Sequence, residues 1–200
     1  MSLIILEGIP ASGKSLWGES FVEAHENAVF LEEWVDEKVL KEYLENMKEK
    51  ATEFQFYIQE ETVNRVKKAI DLVKEGKVVI LDRGLIGNEC FARVQYDTHL
   101  ISDENIERYL NFFSYDNISE FKDIKSVTIY MRATTEFCLE RIRTRARDGE
   151  NSYTIEYLNQ LAWYHDTLLP HAKIINIDKN YPLNEKGLLS VSSLLEILSI

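Results

Sequence analysis

The sequence predicts an α/β fold in one domain spanning residues 1–200: a mostly parallel five-stranded sheet with helices on both faces. Three observations lead there. Short apolar runs rich in β-branched residues recur along the chain. Stretches with helical period lie between them. The length, 200 residues, is enough to bury a sizeable core.

The first strand is "LIILEG", residues 3–8, and it runs into the turn "GIPASGKS", from which a helical pattern starts near Lys14. "AVFLEE" (28–33) is the second strand, followed by helical stretches over 34–48 and 53–75. "VVILDR" (78–83) is the third, with a helix over 103–113 after it. "SVTIYMR" (126–132) and "KIINID" (173–178) complete the sheet, separated by helices over 134–146 and 153–168. Pro10, Pro170 and Pro182 all fall in loops. Uninterrupted apolar strands alternating with helices belong to parallel sheets buried on both faces. Such sheets bind ligands beyond the carboxyl ends of their strands, so residues that carry chemistry should stand just after strands.

Composition narrows the partners. A formal net charge of -11 argues against a broad basic surface for duplex nucleic acid, so no nucleic-acid partner is expected. No apolar run approaches the length of a membrane span, and the apolar start is too short for a secretory signal and carries Glu7. Cys90 and Cys138 lie too far apart for a metal-ligand spacing and read as reduced thiols in a cytoplasmic protein.

Gly8, Gly13, Lys14 and Ser15 fit G-x-x-x-x-G-K-[ST], placed between a strand and a helix as that motif requires. Backbone N–H groups of Gly8, Ala11, Ser12 and Gly13 would face phosphate oxygens, helped by the positive end of the helix dipole. Lys14 would reach the β- and γ-phosphates of ATP, and the Ser15 hydroxyl would ligand Mg²⁺. "LEEW", Leu31 to Trp34, puts two carboxylates at a strand end, where one can act as general base toward a hydroxyl. Glu32 is the first choice and Glu33 the second. In "LDRG", Leu81 to Gly84, Asp82 would help hold Mg²⁺, and Arg83 would orient the base or meet the transferring phosphoryl group. In "ERIRTRARDGE", residues 140–150, Arg141/Arg145 and Arg143/Arg147 fall on roughly opposite helix faces. One pair can close over a triphosphate as an Arg-rich lid, about 141–152.

Taken in order, these stretches resemble the deoxynucleoside kinase family along nearly the whole chain. "GIPASGKS" is similar to that family's phosphate loop, and "LEEW" to its Glu-Pro strand end, with Glu33 replacing the Pro. "FYIQ" (56–59) resembles its Phe-x-Phe-Gln, "DRG" its acidic-Arg-Ser with Gly84 as a departure, and residues 138–169 its lid and following helix. The resemblance implies a P-loop kinase fold that phosphorylates the 5′-hydroxyl of a deoxynucleoside with ATP and Mg²⁺, as a homodimer. It implies that Glu32 is the base, assisted by Arg83, and that Arg141, Arg145 and Arg147 are lid arginines. Gln59 and Phe56 would read the base, while Glu150 and Tyr43 would hold the sugar 3′-hydroxyl. Tyr181, in "DKNYP", would touch the adenine of ATP.

An Arg–Asp pair that serves cytosine and purines in the family falls by counting on Val66 and Asn88, with Arg65 one position off. Its absence leans the expectation toward thymidine and other pyrimidine deoxynucleosides. Two rivals remain. A thymidylate-type nucleotide kinase shares the fold and the P-loop, but it needs cations where Glu32 and Glu33 stand. A P-loop switch needs a guanine-reading Asn-Lys-x-Asp, of which "DKNYP" is a poor copy.

Overall fold

A computed structural model describes residues 2–146 and 152–177. Five strands form one sheet: β1 (Leu3–Glu7), β2 (Ala28–Leu31), β3 (Val78–Asp82), β4 (Ser126–Ala133) and β5 (Lys173–Ile177). Their spatial order is β2-β3-β1-β4-β5, and every neighbouring pair is parallel. The α-helices among the described residues are α1 (Lys14–Ala24), α2 (Glu37–Glu45), α3 (Met47–Lys74), α4 (Leu85–Asp97), α5 (Asp103–Phe112), α6 (Thr135–Arg145) and α7 (Ile155–Leu168).

The period of two along each strand sorts side chains to two cores. Ile4, Leu6, Ile80, Ile129 and Met131 pack with Trp17 and Phe21 of α1 and with Leu158 and Leu161 of α7. Leu3, Ile5, Val79 and Leu81 pack on the other face against Val66, Ile70 and Val73 of α3. A third cluster joins α3, α4 and α5 through Ala51, Ala92, Ile106, Tyr109 and Phe113. Cys90 and Cys138 are free thiols within the core.

Three differences from the sequence expectation matter for the site. β2 ends at Leu31, so Glu32 and Glu33 lie beyond the strand rather than in it. The stretch 34–48 is shortened to α2, whose N-cap Asp36 accepts from the amides of Lys38 and Val39; α3 starts after Asn46, whose non-helical backbone (φ -145°, ψ 57°) separates the two helices. Helix α4 was not foreseen. It buries Leu85, Gly87, Asn88, Cys90, Ala92, Val94 and Gln95, so it lacks the single apolar stripe by which a surface helix is recognised.

Candidate active site

The carboxyl ends of β1, β2 and β3 open on one cleft of about 1680 Å³. A typical small-molecule site occupies roughly 300–1000 Å³, so this one has room for two ligands.

The turn between β1 and α1 forms its floor. Gly13 has φ 103° and caps α1, a conformation that L side chains rarely tolerate. Lys14 is buried and donates from Nζ to the carbonyls of Gly8 (3.1 Å) and Ile9 (3.2 Å). Burial and the nearby Arg83 push its ammonium down to about 8. Ala11, Gly13, Lys14 and Ser15 line the cleft, whereas Ser12 is turned inward and fully buried. Ser15 Oγ donates to Asp82 Oδ2 at 2.7 Å, while Asp82 Oδ1 is buried with no partner. A hydroxyl whose lone pairs remain open, beside a carboxylate oxygen lacking a partner, fits a hard divalent cation.

Arg83 is buried at the end of β3 with φ 60°. Its Nε donates to both oxygens of Glu33, at 3.0 and 3.2 Å, and Nη1 donates to the carbonyl of Gly8 at 3.2 Å. Its guanidinium lies 4.7 Å from the centroid of the Phe91 ring. Glu33 is therefore the carboxylate that the structure brings to the arginine. Glu32 is exposed at the cleft mouth, because successive residues of an extended segment point opposite ways. Burial raises the Glu33 carboxyl, but Arg83, Lys14 and Arg65 outweigh it and hold the group below the usual carboxylate range.

Glu7, unremarked in the sequence beyond its charge, supports this corner from below. It is buried at the end of β1, and Oε1 accepts the amide N–H groups of Gly84 and Gly87, each at 3.1 Å. It thereby caps α4 from a distant strand. A Cβ on Gly87 would collide with Glu7 Oε2, and one on Gly84 with the Tyr115 hydroxyl. That hydroxyl accepts from the amide of Leu85 at 3.1 Å, which gives the departure at Gly84 a steric reason. Burial pushes the Glu7 carboxyl up to about 7, against the lowering effect of Arg83.

Two expected base-reading residues are displaced by one helical turn or less. Gln59 is fully buried beneath the cleft, donating to the Leu85 carbonyl at 3.1 Å. Of the two glutamines of this segment, Gln55 lines the cleft, and its Oε1 is buried without a partner. Phe56 packs in the third cluster, edge-on to Tyr109 and Phe113. Phe54 lines the cleft instead, stacked on Tyr43 with centroids 4.2 Å apart. Tyr43 stands on the cleft as expected, and its hydroxyl accepts from Gln95 Nε2 at 3.0 Å. The sequence contains the signal, since "EFQFYIQ" holds two Phe–Gln registers; only the depth of each turn below the cleft separates them. Asn88 lines the cleft, but Val66 is in the core under the sheet. Arg65 is not among the residues lining the cleft; it lies behind them, donating to the carbonyls of Asp82 (2.7 Å) and Arg83 (3.4 Å) and to Thr62 Oγ1 (3.0 Å).

Arg141 and Arg145 both line the cleft from α6. The Arg141 guanidinium stands over the turn, with Nη1 3.6 Å from where a Cβ on Gly13 would be, and lies 5.3 Å from the Phe137 ring centroid. Arg143 faces a separate groove with Glu136, Leu139 and Ile155. Tyr153 and Tyr157 also line the cleft and carried no sequence signal. Arg147, Glu150 and Tyr181 lie outside the described residues.

Known proteins resemble this chain in sequence and in fold. A family model described as deoxynucleoside kinase matches residues 4–191. A deoxyadenosine kinase of Dictyostelium discoideum is 23% identical over 175 residues, covering 87% of this chain and 69% of the relative. A deoxyguanosine kinase of the same organism is 28% identical over 160 residues, covering 80% of this chain and 55% of the relative. In fold, the chain is similar to a deoxyadenosine kinase from M. mycoides solved with bound dATP. The TM-score is 0.76 at 20% identity, over 98% of this chain and 100% of that one.

Proposed function

The chain belongs to the deoxynucleoside kinase family, and from that premise we propose that it transfers the γ-phosphoryl group of ATP to the 5′-hydroxyl of a deoxynucleoside, with Glu33 as general base. The observation that carries this reading is the Glu33–Arg83 pair at the strand end, facing the phosphate-binding turn across one cleft. A carboxylate there, with Glu32 beside it, suits a neutral hydroxyl acceptor and disfavours a phosphorylated one.

Each residue has a role. Lys14, the turn amides and the α1 dipole hold the phosphates. Ser15 and Asp82 would hold Mg²⁺, which when bound neutralises charge on the phosphates. Glu33 accepts the hydroxyl proton, and Arg83 fixes its carboxylate in place. Arg141 and Arg145, as part of a lid, steady the charge spread over the transferring group. Gln55 reads the base edge beside Phe54, and Tyr43 supports the sugar. The resemblance adds Glu150 for the 3′-hydroxyl, Tyr181 for adenine and a homodimer, which sedimentation would test. The thymidine leaning rested on the lack of an Arg–Asp pair at Val66 and Asn88; of these two, Asn88 lines the cleft and Val66 is packed in the core.

No helix among the described residues is long and apolar enough to cross a membrane. The deciding experiment is ADP release with ATP, Mg²⁺ and, separately, thymidine, deoxycytidine, deoxyadenosine, deoxyguanosine and thymidine monophosphate. Turnover on one or more nucleosides and none on the monophosphate is expected; turnover on the monophosphate alone would overturn the reading in favour of a nucleotide kinase.

A further inference from the structure

The base end of the cleft has a fixed hydrogen-bond polarity. Asn88 is 2% exposed, and its Nδ2 donates to Gln59 Oε1 (3.2 Å) and Thr62 Oγ1 (2.8 Å). Each of these contacts is anchored by a backbone carbonyl. Gln59 Nε2 donates to the carbonyl of Leu85. A carbonyl only accepts, so the nitrogen of Gln59 must face Leu85 and its oxygen must face Asn88. Thr62 gives its single hydroxyl hydrogen to the carbonyl of Ile58 at 2.9 Å. Toward Asn88 it can therefore only accept, as it also does from Arg65 Nη2. Both amide hydrogens of Asn88 are thus committed to acceptors below the cleft. A reversed Asn88 would set oxygen against two buried oxygens, a costly arrangement. What Asn88 has left for the cleft it lines is Oδ1, an acceptor.

Gln55 differs. It is 3% exposed, its Oε1 lacks a partner, and no neighbour among the described residues fixes its amide. It can present donor and acceptor in either order.

We infer that the site selects a base with an exocyclic amino group beside a ring-nitrogen acceptor, the edge shared by cytosine and adenine, over the oxo counterparts, and that Gln59 and Thr62 are positioning residues imposing this choice through Asn88. The inference rests on the kinase reading of the cleft. One amino hydrogen goes to Gln55 Oε1 and the other to Asn88 Oδ1, while the ring nitrogen accepts from Gln55 Nε2. For an oxo base Gln55 can turn over, but Asn88 cannot. The oxo oxygen then meets Oδ1, acceptor against acceptor. Discrimination therefore belongs to Asn88 and the two residues behind it, and it runs against the thymidine leaning of the sequence.

The test uses pairs that differ at this edge: deoxycytidine against deoxyuridine, and deoxyadenosine against deoxyinosine. kcat/KM is measured for all four, and calorimetry on the same protein reads their binding. The amino member of each pair is expected to be favoured by about tenfold or more. In Gln59→Leu and Thr62→Val each ratio falls partway, and in the double variant it falls toward one, a change that a purely structural role would not produce. A wild-type ratio at or below one in both turnover and binding overturns the inference. An unchanged ratio in the folded double variant overturns the part given to Gln59 and Thr62; if that variant does not fold, the single variants decide it. If no nucleoside is phosphorylated yet binding keeps the amino preference, the phosphoryl-transfer part of the kinase reading falls, while its nucleoside-binding part, on which the base choice depends, and the inference stand.

Discussion

Glu33 and Glu32 are neighbours in the chain, and their surroundings give them different chemistry. Glu33 receives both of its hydrogen bonds from one nitrogen of a buried guanidinium, which keeps it ionised and points it into the cleft; Glu32 meets solvent. Glu33→Gln is expected to lower kcat by about 10²-fold or more with a modest change in KM, and Glu32→Gln to leave kcat within a few-fold of wild type. Steady-state kinetics on the two variants settles the order. A near-normal kcat in Glu33→Gln would return the role to Glu32. Arg83 holds its position in the left-handed region, at a cost of roughly 1–2 kcal/mol for an L residue. Arg65 braces that conformation by bonding the carbonyls of Asp82 and Arg83, which lie on either side of the Arg83 α-carbon.

At the scale of elements, the β3–α4 corner depends on the absence of side chains. Gly87 lets the carboxylate of Glu7 reach the first turn of α4. Gly87→Ala is expected to destabilise the fold by about 1–3 kcal/mol through overpacking. Because α4 carries Asn88 and Phe91, kcat/KM should fall by more than the loss of folded protein explains. Thermal melts and kinetics on the same preparation separate the two effects. This corner also marks the limit of what the sequence made legible. The five strands, the phosphate turn and the Asp82–Arg83 strand end were readable because each is a local pattern with its own period or spacing. Helix α4, Gln55 and Glu7 were not. Their roles are set by depth: how far along α3 a turn lies beneath the cleft, and which strand end faces which helix. A one-dimensional pattern does not encode depth. Gln55 and Gln59 share a helix face at i and i+4, so period alone could not choose between them.

For the whole molecule, burial sets how protons couple to folding and binding. His165 is fully buried in α7, and burial pushes it down to about 3, from 6.5 in the unfolded chain. Between those values the unfolded chain takes up a proton that the native state refuses, so stability is lost as pH falls through that window. Glu7 acts oppositely: between about 4.5 and about 7 the native state keeps the proton, so its contribution falls as pH rises. Subtracting the stability–pH curve of His165→Leu from that of wild type isolates the histidine. The difference should be level above about 6.5 and decline toward pH 3, by at most about 1.4 kcal/mol per pH unit; a level difference throughout would contradict the neutral buried ring. Lys14, held down to about 8, gives a second signature. Phosphates favour its ammonium form, so nucleotide binding near pH 8–9 should take up protons. Calorimetry in buffers of differing ionisation enthalpy reads that uptake, and Lys14→Met should abolish it. The all-parallel sheet has one more consequence. Every strand starts at the rim away from the cleft, so the exposed Lys125, just before β4, lies there. A fluorophore or a surface tether attached at Lys125 will display the molecule with its mouth facing the solution, ready for single-molecule observation or immobilised synthesis of nucleotides.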